Sequence, residues 1–160
     1  MNTLAWQERP IQDFLPHHPP MLLLDRIVML GEHHLETEVS IEHGSPFERD
    51  GAVGAWVGVE YMAQTIAAFA GIEAQQRGEA PRIGFLLGTR EYKTSVAAFP
   101  VGSQLRVLVE QVHREVGGLS VVECQIRKPG ETEPLVQATL TVYEVTDIQG
   151  YLAEHRGAST

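Results

Sequence analysis

Cysteine is almost absent. Cys124 is the only one in 160 residues, so no intramolecular disulfide can form and the chain is not a disulfide-stapled secreted scaffold. Positive charge is scarce as well. Twelve Lys+Arg stand against 21 Asp+Glu, a net charge of -9, and polyanions are held by basic surface, so general affinity for nucleic acid or an anionic membrane is not expected. Long apolar runs are also missing: Glu60 and Gln64 interrupt the most apolar stretch, well short of the roughly 18 uninterrupted residues that cross a bilayer. The opening residues, MNTLAWQERP, carry neither a basic leader nor the apolar stretch of a signal peptide. Together these absences predict a soluble, cytoplasmic protein. No repeat, low-complexity tract or Pro/Gly/Ser linker divides the chain, and 43% hydrophobic content suffices for one core, so a single domain over 1–160 is expected.

What is present is easily divided into elements. Pro10 to Leu15 reads as a short amphipathic helical turn, and Pro16 to Pro20 (PHHPP) ends it, because each proline lacks an N–H and restricts its predecessor. Met21 to Leu30 and His33 to Ile41 read as two strands of a hairpin turning at Gly31-Glu32. A glycine-rich stretch, Gly44 to Gly54, leads into about Trp56 to Arg77, which has helical length, is rich in Ala, Met and Gln, and closes at Gly78. The first four turns of that helix are apolar nearly all round, so the rest of the protein is expected to wrap it. Four strand-like segments follow, Ile83 to Lys93, Gln104 to Glu115, Leu119 to Lys128 and Leu135 to Val145, with Gly117-Gly118 as a tight turn. They are expected to be antiparallel neighbours, since no room is left for parallel crossovers. A polar tail from about 148 ends the chain. The fold class predicted is α+β: an antiparallel sheet curled around one long central helix, the hot-dog fold.

Glu60 is the first candidate for chemistry, a carboxylate one turn into an apolar helix. Burial there would raise its pKa and suit it to act as a general acid. Against this stands the plain reading of an exposed helix start whose acid complements the dipole. Gln64, four residues on, shares its face and makes a small polar island.

The segments LPHHPPMLLLDRI (Leu15 to Ile27) and GVEYMAQ (Gly58 to Gln64), with FPVGSQL (Phe99 to Leu105), resemble the paired signatures of the beta-hydroxyacyl-acyl carrier protein dehydratases of fatty-acid synthesis. GTREYK (Gly88 to Lys93) and the shortened loop before the helix are similar to a divergent bacterial branch associated with aryl-polyene synthesis. The resemblance spans roughly 10 to 145. It implies a homodimer or higher homo-oligomer, or a heterodimer with a paralogue, that removes water from a 3-hydroxyacyl thioester to give the trans-2-enoyl thioester. No metal or other cofactor is implied beyond the phosphopantetheine of the acyl carrier protein that carries the substrate. In the family the base is a histidine of one subunit and the acid a helical carboxylate of the other; Glu60 matches the acid, and Gln64 the glutamine after it.

The chain departs from that pattern at the base. Pro46 stands where the family has histidine in a GHFPG-like loop, which here reads HGSPFERDGAVGAW. Ala55 stands at the glycine whose amide helps bind the thioester oxygen, and beside Trp56 it is assigned to substrate binding with Gln64. His17, in the rigid PHHPP loop, is the leading replacement base because an imidazole titrates near neutrality; the plain alternative is a loop brace. His18 is expected to be its solvent-facing neighbour. His43, three residues before Pro46, is the second candidate, with solvent exposure at a strand end as its plain alternative. His33 and His34 are adjacent on a strand and point to opposite faces, so they do not share a metal. His113 reads as sheet surface and His155 as tail. Cys124 lies mid-strand and packs as a small apolar residue.

Arg82, Arg90 and Lys93 form the densest basic group in an acidic chain and are the candidate docking patch for an acidic carrier protein; a solvated strand face is the alternative. Two further functions stay open. A hot-dog thioesterase would use the helical carboxylate to activate water, and a catalytically silent subunit would bind carrier protein or complete an active paralogue. Ala67, Ala68 and Ala70 suggest space beside the helix, with close-packing positions as the plainer reading, and no acyl-chain length is read from them.

Overall fold

The computed structural model describes residues 3–80, 82, 84–145 and 156. The tail expected from about 148, with His155, falls outside them apart from Arg156.

A short helix α1 (Thr3–Gln7) and a 3-10 turn (Ile11–Asp13) precede the sheet. Strands β1 (Arg26–Leu30) and β2 (His34–Ser40) form the expected hairpin, which turns tightly at Gly31, where the amide donates to the His34 carbonyl at 2.9 Å. Next come β3 (Glu48–Arg49), β4 (Ala52–Gly54), a 3-10 turn (Ala55–Val57) and the long helix α2 (Gly58–Gln76). Then follow β5 (Gly84–Thr94), β6 (Ala98–Pro100), β7 (Gln104–Arg114), β8 (Leu119–Arg127) and β9 (Val136–Glu144). Six strands make one antiparallel sheet in the order β1-β2-β7-β8-β9-β5, and β3-β4-β6 make a small second one.

Three expectations need correction. Met21 to Asp25 is not strand: four consecutive apolar residues have no polar alternation, and Leu23 and Leu24 bury themselves as loop residues under the sheet. Second, β5 is not the neighbour of β7. It crosses to the far side, pairs with β9 from Gly84 to Thr94, and stands at the sheet edge. Third, the small β3-β4-β6 sheet was not visible in strands of two and three residues.

The core lies between α2 and the concave face of the main sheet. Leu35, Val39, Leu105, Val107, Val109, Ile126 and Leu140 present alternate strand positions to Met62, Phe69 and Ile72. Thr37 and Thr65 bridge sheet and helix through a buried hydroxyl pair at 2.9 Å, and Thr65 also donates to the Tyr61 carbonyl. The wrapping of α2 is incomplete. Tyr61, Met62, Thr65, Ala68, Phe69 and Ile72 are buried, whereas Glu60, Ala63, Ile66, Ala67 and Ala70 recur at helical spacing as a half-exposed stripe. At Gly71 the helix meets the N-terminal segment so closely that an added Cβ would stand 1.8 Å from the Phe14 carbonyl oxygen.

Candidate active site

The half-exposed stripe of α2 floors a cleft of about 480 Å³. One wall is the segment Asp13 to His17, held against the helix by the close approach at Gly71; the other is the edge of the sheet, Phe85 and Leu86 of β5 with Val142 to Glu144 of β9. The floor from Glu60 to Gly71 covers eleven helical steps, or about 16 Å at ~1.5 Å per residue. Ala67 and Ala70 line it, so their small side chains leave space there, whereas Ala68 is fully buried in packing as expected.

Glu60 and His17 meet at the end of this cleft. The His17 Nε2 lies 3.9 Å from the Glu60 Oε1. The proline turn explains the placement: Met21 and Leu22 both donate their amides to the His18 carbonyl, at 2.8 and 3.0 Å, which closes the loop behind His17. His18 points outward and is exposed, as expected. The His17 Nδ1 is buried and has no hydrogen-bond partner among the described residues.

Glu60 differs from expectation in one respect. Its side chain is 41% exposed, so the deep burial invoked for it is not found in the single chain. The reason is the uncovered stripe: Glu60 lies on it, and water reaches it through the cleft mouth. Gln64 is as expected its helical neighbour, with Nε2 3.1 Å from the Glu60 Oε1. It is itself 0% exposed, and its amide is committed to Leu23, Met21 and Glu60, so it offers no group to a substrate.

The other assigned residues lie elsewhere. The Ala55 amide already donates to the Ala97 carbonyl at 3.0 Å, and the Ala55 carbonyl accepts the Tyr92 hydroxyl, so this N–H is not available to a thioester oxygen. Trp56 is 66% exposed and stacks edge-on against Phe47, ring centroids 5.8 Å apart, away from the cleft. His43 is 84% exposed and faces Glu48 at 3.9 Å rather than Glu60. His33 and His113 are exposed beside Glu32 and Glu115. Cys124 is buried, its thiol pushed up to about 12 chiefly by burial.

The basic group is dispersed. Arg82 lines the far end of the cleft but is paired with Glu79 at 2.9 Å and Glu144 at 3.3 Å, while Lys93 is 2.9 Å from Glu91. Arg90 is exposed and has no carboxylate partner among the described residues. The apolar walls, Phe14, Leu15, Leu86, Val142 and Tyr143, were not singled out from the sequence, although the surplus of apolar residues at strand ends and after Pro10 was a usable signal.

One helix wrapped by an antiparallel sheet, with a carboxylate near its start and an apolar cleft along it, defines a hot-dog protein. Solved structures agree. The dehydratase heterocomplex ApeI:P from Xenorhabdus doucetiae matches with 29% identity and a TM-score of 0.81, covering 91% of this chain and 97% of that one. A hypothetical thioesterase from Streptococcus pneumoniae solved with coenzyme A matches at 16% identity and TM-score 0.57, over 74% of this chain and 84% of that one. A conserved protein from Pseudomonas aeruginosa, 16% identical, gives a TM-score of 0.61 over 84% of this chain and 98% of that one. These last two show the fold alone. No curated protein sequence matches the chain significantly. The ApeP-like family model, described as ApeP dehydratase, matches residues 9–153, and the chain belongs to that family of dehydratases.

Proposed function

We propose that the protein dehydrates a 3-hydroxyacyl chain carried as a thioester on acyl carrier protein, in an aryl-polyene or fatty-acid type of biosynthesis. The observation that carries the reading is the approach of His17 to Glu60, 3.9 Å apart in one chain, at the end of an apolar cleft long enough for an acyl group.

The chemistry follows from the two groups. The His17 Nε2 takes the α-proton, and the electrons of that C–H bond form the new double bond. The bond from the β-carbon to the hydroxyl breaks, and Glu60 gives its proton to the departing oxygen, which leaves as water. His17 then holds the proton that Glu60 lacks, and its return to the Glu60 carboxylate, relayed by the released water, restores both groups. The step requires the imidazole tautomer whose Nε2 is unprotonated and so able to accept. A pair within one chain replaces the usual intersubunit pair and accounts for a loop in which Pro46 stands where a histidine is usual.

The matched Xenorhabdus relative is a heterocomplex, and we extend the reading to a paired assembly for this chain. Its support is β5, an eleven-residue edge strand that pairs only with β9 among the described strands and exposes Leu86 and Leu87. Arg90 is the residue of the basic group best placed to meet an acidic carrier protein, through its unpaired charge.

Mass spectrometry of a 3-hydroxyacyl carrier-protein thioester incubated with the purified protein tests the reading. Loss of one water from the acyl group is expected. Release of free acid would favour a thioesterase, in which the water-exposed Glu60 activates a hydrolytic water. Turnover only after a paralogue is added would make the chain a supporting subunit.

A further inference from the structure

Gln64 is fully buried, and its carboxamide makes three hydrogen bonds. Oε1 accepts the Leu23 amide at 2.9 Å, and Nε2 donates to the Met21 carbonyl at 2.8 Å and to the Glu60 Oε1 at 3.1 Å. The two backbone partners settle which way the amide faces: the Leu23 N–H can only donate and the Met21 carbonyl can only accept. A flipped amide would set donor against donor and acceptor against acceptor. The remaining hydrogen on Nε2 therefore always points at Glu60 as a donor, and Glu60 Oε1 is always its acceptor.

We infer that Gln64 is a positioning residue that reserves the Glu60 Oε1 as an acceptor, so that the proton Glu60 delivers is carried on Oε2, while its two backbone bonds fix the His17 loop to the same turn of α2. The inference rests on reading Glu60 as the acid. A carboxyl group without such a neighbour can carry its proton on either oxygen and rotate; one oxygen held by an obligatory donor leaves a single arrangement for transfer. The backbone half of the clamp matters equally. Met21 and Leu23 follow His17 by four and six residues, and the bonds from Met21 and Leu22 to the His18 carbonyl tie that segment to the histidine turn. One side chain thus sets the position of the proposed base and the orientation of the proposed acid, although it touches no substrate.

Two variants separate the two halves. Gln64→Glu keeps an oxygen for the Leu23 amide but offers at most one hydrogen where the amide has two, and Gln64→Met keeps the length and removes every bond. Leu23 should stay protected from hydrogen exchange in Gln64→Glu and lose protection in Gln64→Met. In both, kcat should fall about 100-fold with KM unchanged, the size expected when a reacting group is misplaced by about an ångström. A rise in KM with kcat retained would make Gln64 a substrate ligand and overturn the inference; full activity in Gln64→Glu would reduce it to a structural anchor and overturn it equally.

A readout independent of turnover keeps this distinct from the dehydratase reading. In NMR spectra of the resting protein, one of the two Gln64 side-chain amide protons should lose exchange protection in Glu60→Leu while the other, bonded to Met21, keeps it. Two unchanged protons would overturn the donor claim whatever the enzyme proves to catalyse. Protected protons that respond as expected, in a protein that dehydrates nothing, would instead leave the geometry standing and remove the reaction.

Discussion

Two loops precede the two secondary structures that matter, and they treat their histidines in opposite ways. The loop from Pro16 to Leu24 is built of prolines and apolar residues, is tied internally at the His18 carbonyl, and is fastened to α2 by Gln64. It brings His17 to Glu60. The segment from Glu42 to Gly54, which holds the short strands β3 and β4, is rich in glycines and polar residues, turns through positive φ at Gly44, Phe47, Asp50 and Gly51, and sends His43 into solvent. Phe47 is the unusual member, since a bulky side chain at φ 68° is strained, and it stacks on exposed Trp56. The difference teaches that a catalytic candidate is recognised less by its place in a motif than by what anchors its loop. Pro46 occupies the usual motif position and offers no titratable group; His17 lies outside it and is held.

The sharpest way to break the comparison is to truncate both histidines separately. His17→Ala and Glu60→Gln should each lower kcat/KM by about 100-fold to 10⁴-fold, the range that positioned acids and bases supply. His43→Ala should stay within about twofold, as an exposed surface change of no more than ~0.5 kcal/mol implies. Rates with the three variants decide it, and a large loss in His43→Ala would transfer the role to the glycine-rich loop.

Next in size is the wall itself. Gly71→Ala places a Cβ against the Phe14 carbonyl, where only backbone can yield, and should cost about 1–3 kcal/mol. Thermal denaturation would show a Tm lower by several degrees, with Gly88→Ala, which meets open space, as its control. Filling the floor sharpens the same point: Ala67→Phe should raise KM for long acyl chains while sparing short ones, measured across a chain-length series. An equal effect on all lengths would mean the cleft does not hold the acyl group.

The most gradual effect concerns pH. Cys124 is pushed up to about 12 from an ordinary 9.0, and Tyr61 to about 12 from 10.0, in both cases chiefly through burial. Above pH 9 the unfolded chain releases the Cys124 proton while the folded one keeps it, so the folded state binds more protons and stability falls as pH rises toward 12. The slope from Cys124 approaches about 1.4 kcal/mol per pH unit at most. Urea titrations on either side of pH 9 should show Cys124→Ala losing less stability at high pH than the parent; identical slopes would contradict the thiol's burial.

Much of this was legible in the residues. The helix found as Gly58–Gln76 was bounded to within two residues by its composition and by Gly78, and β7, β8 and β9 by β-branched runs and the Gly117-Gly118 turn. The pairing of Glu60 with Gln64 follows from i, i+4 spacing alone. What was hidden depended on partners remote in sequence. Met21 to Leu24 looked like a strand because apolar runs say nothing of which group takes their amides, and Leu23 gives its amide to Gln64, 41 residues away. The placement of β5 beside β9 is a crossover with no local signature. The uncovered stripe on α2 was hidden for the same reason, since Ala67 and Ala68 are identical by sequence yet one faces the cleft and the other the core.

The most direct measurement is a double-mutant cycle on kcat for dehydration, comparing His17→Ala, Glu60→Gln and the two combined. Residues that act as one unit are grossly non-additive, so the double variant should be no slower than the slower single one. Losses that multiply would show that His17 and Glu60 act independently, and the His17–Glu60 pair would then not be the catalytic unit.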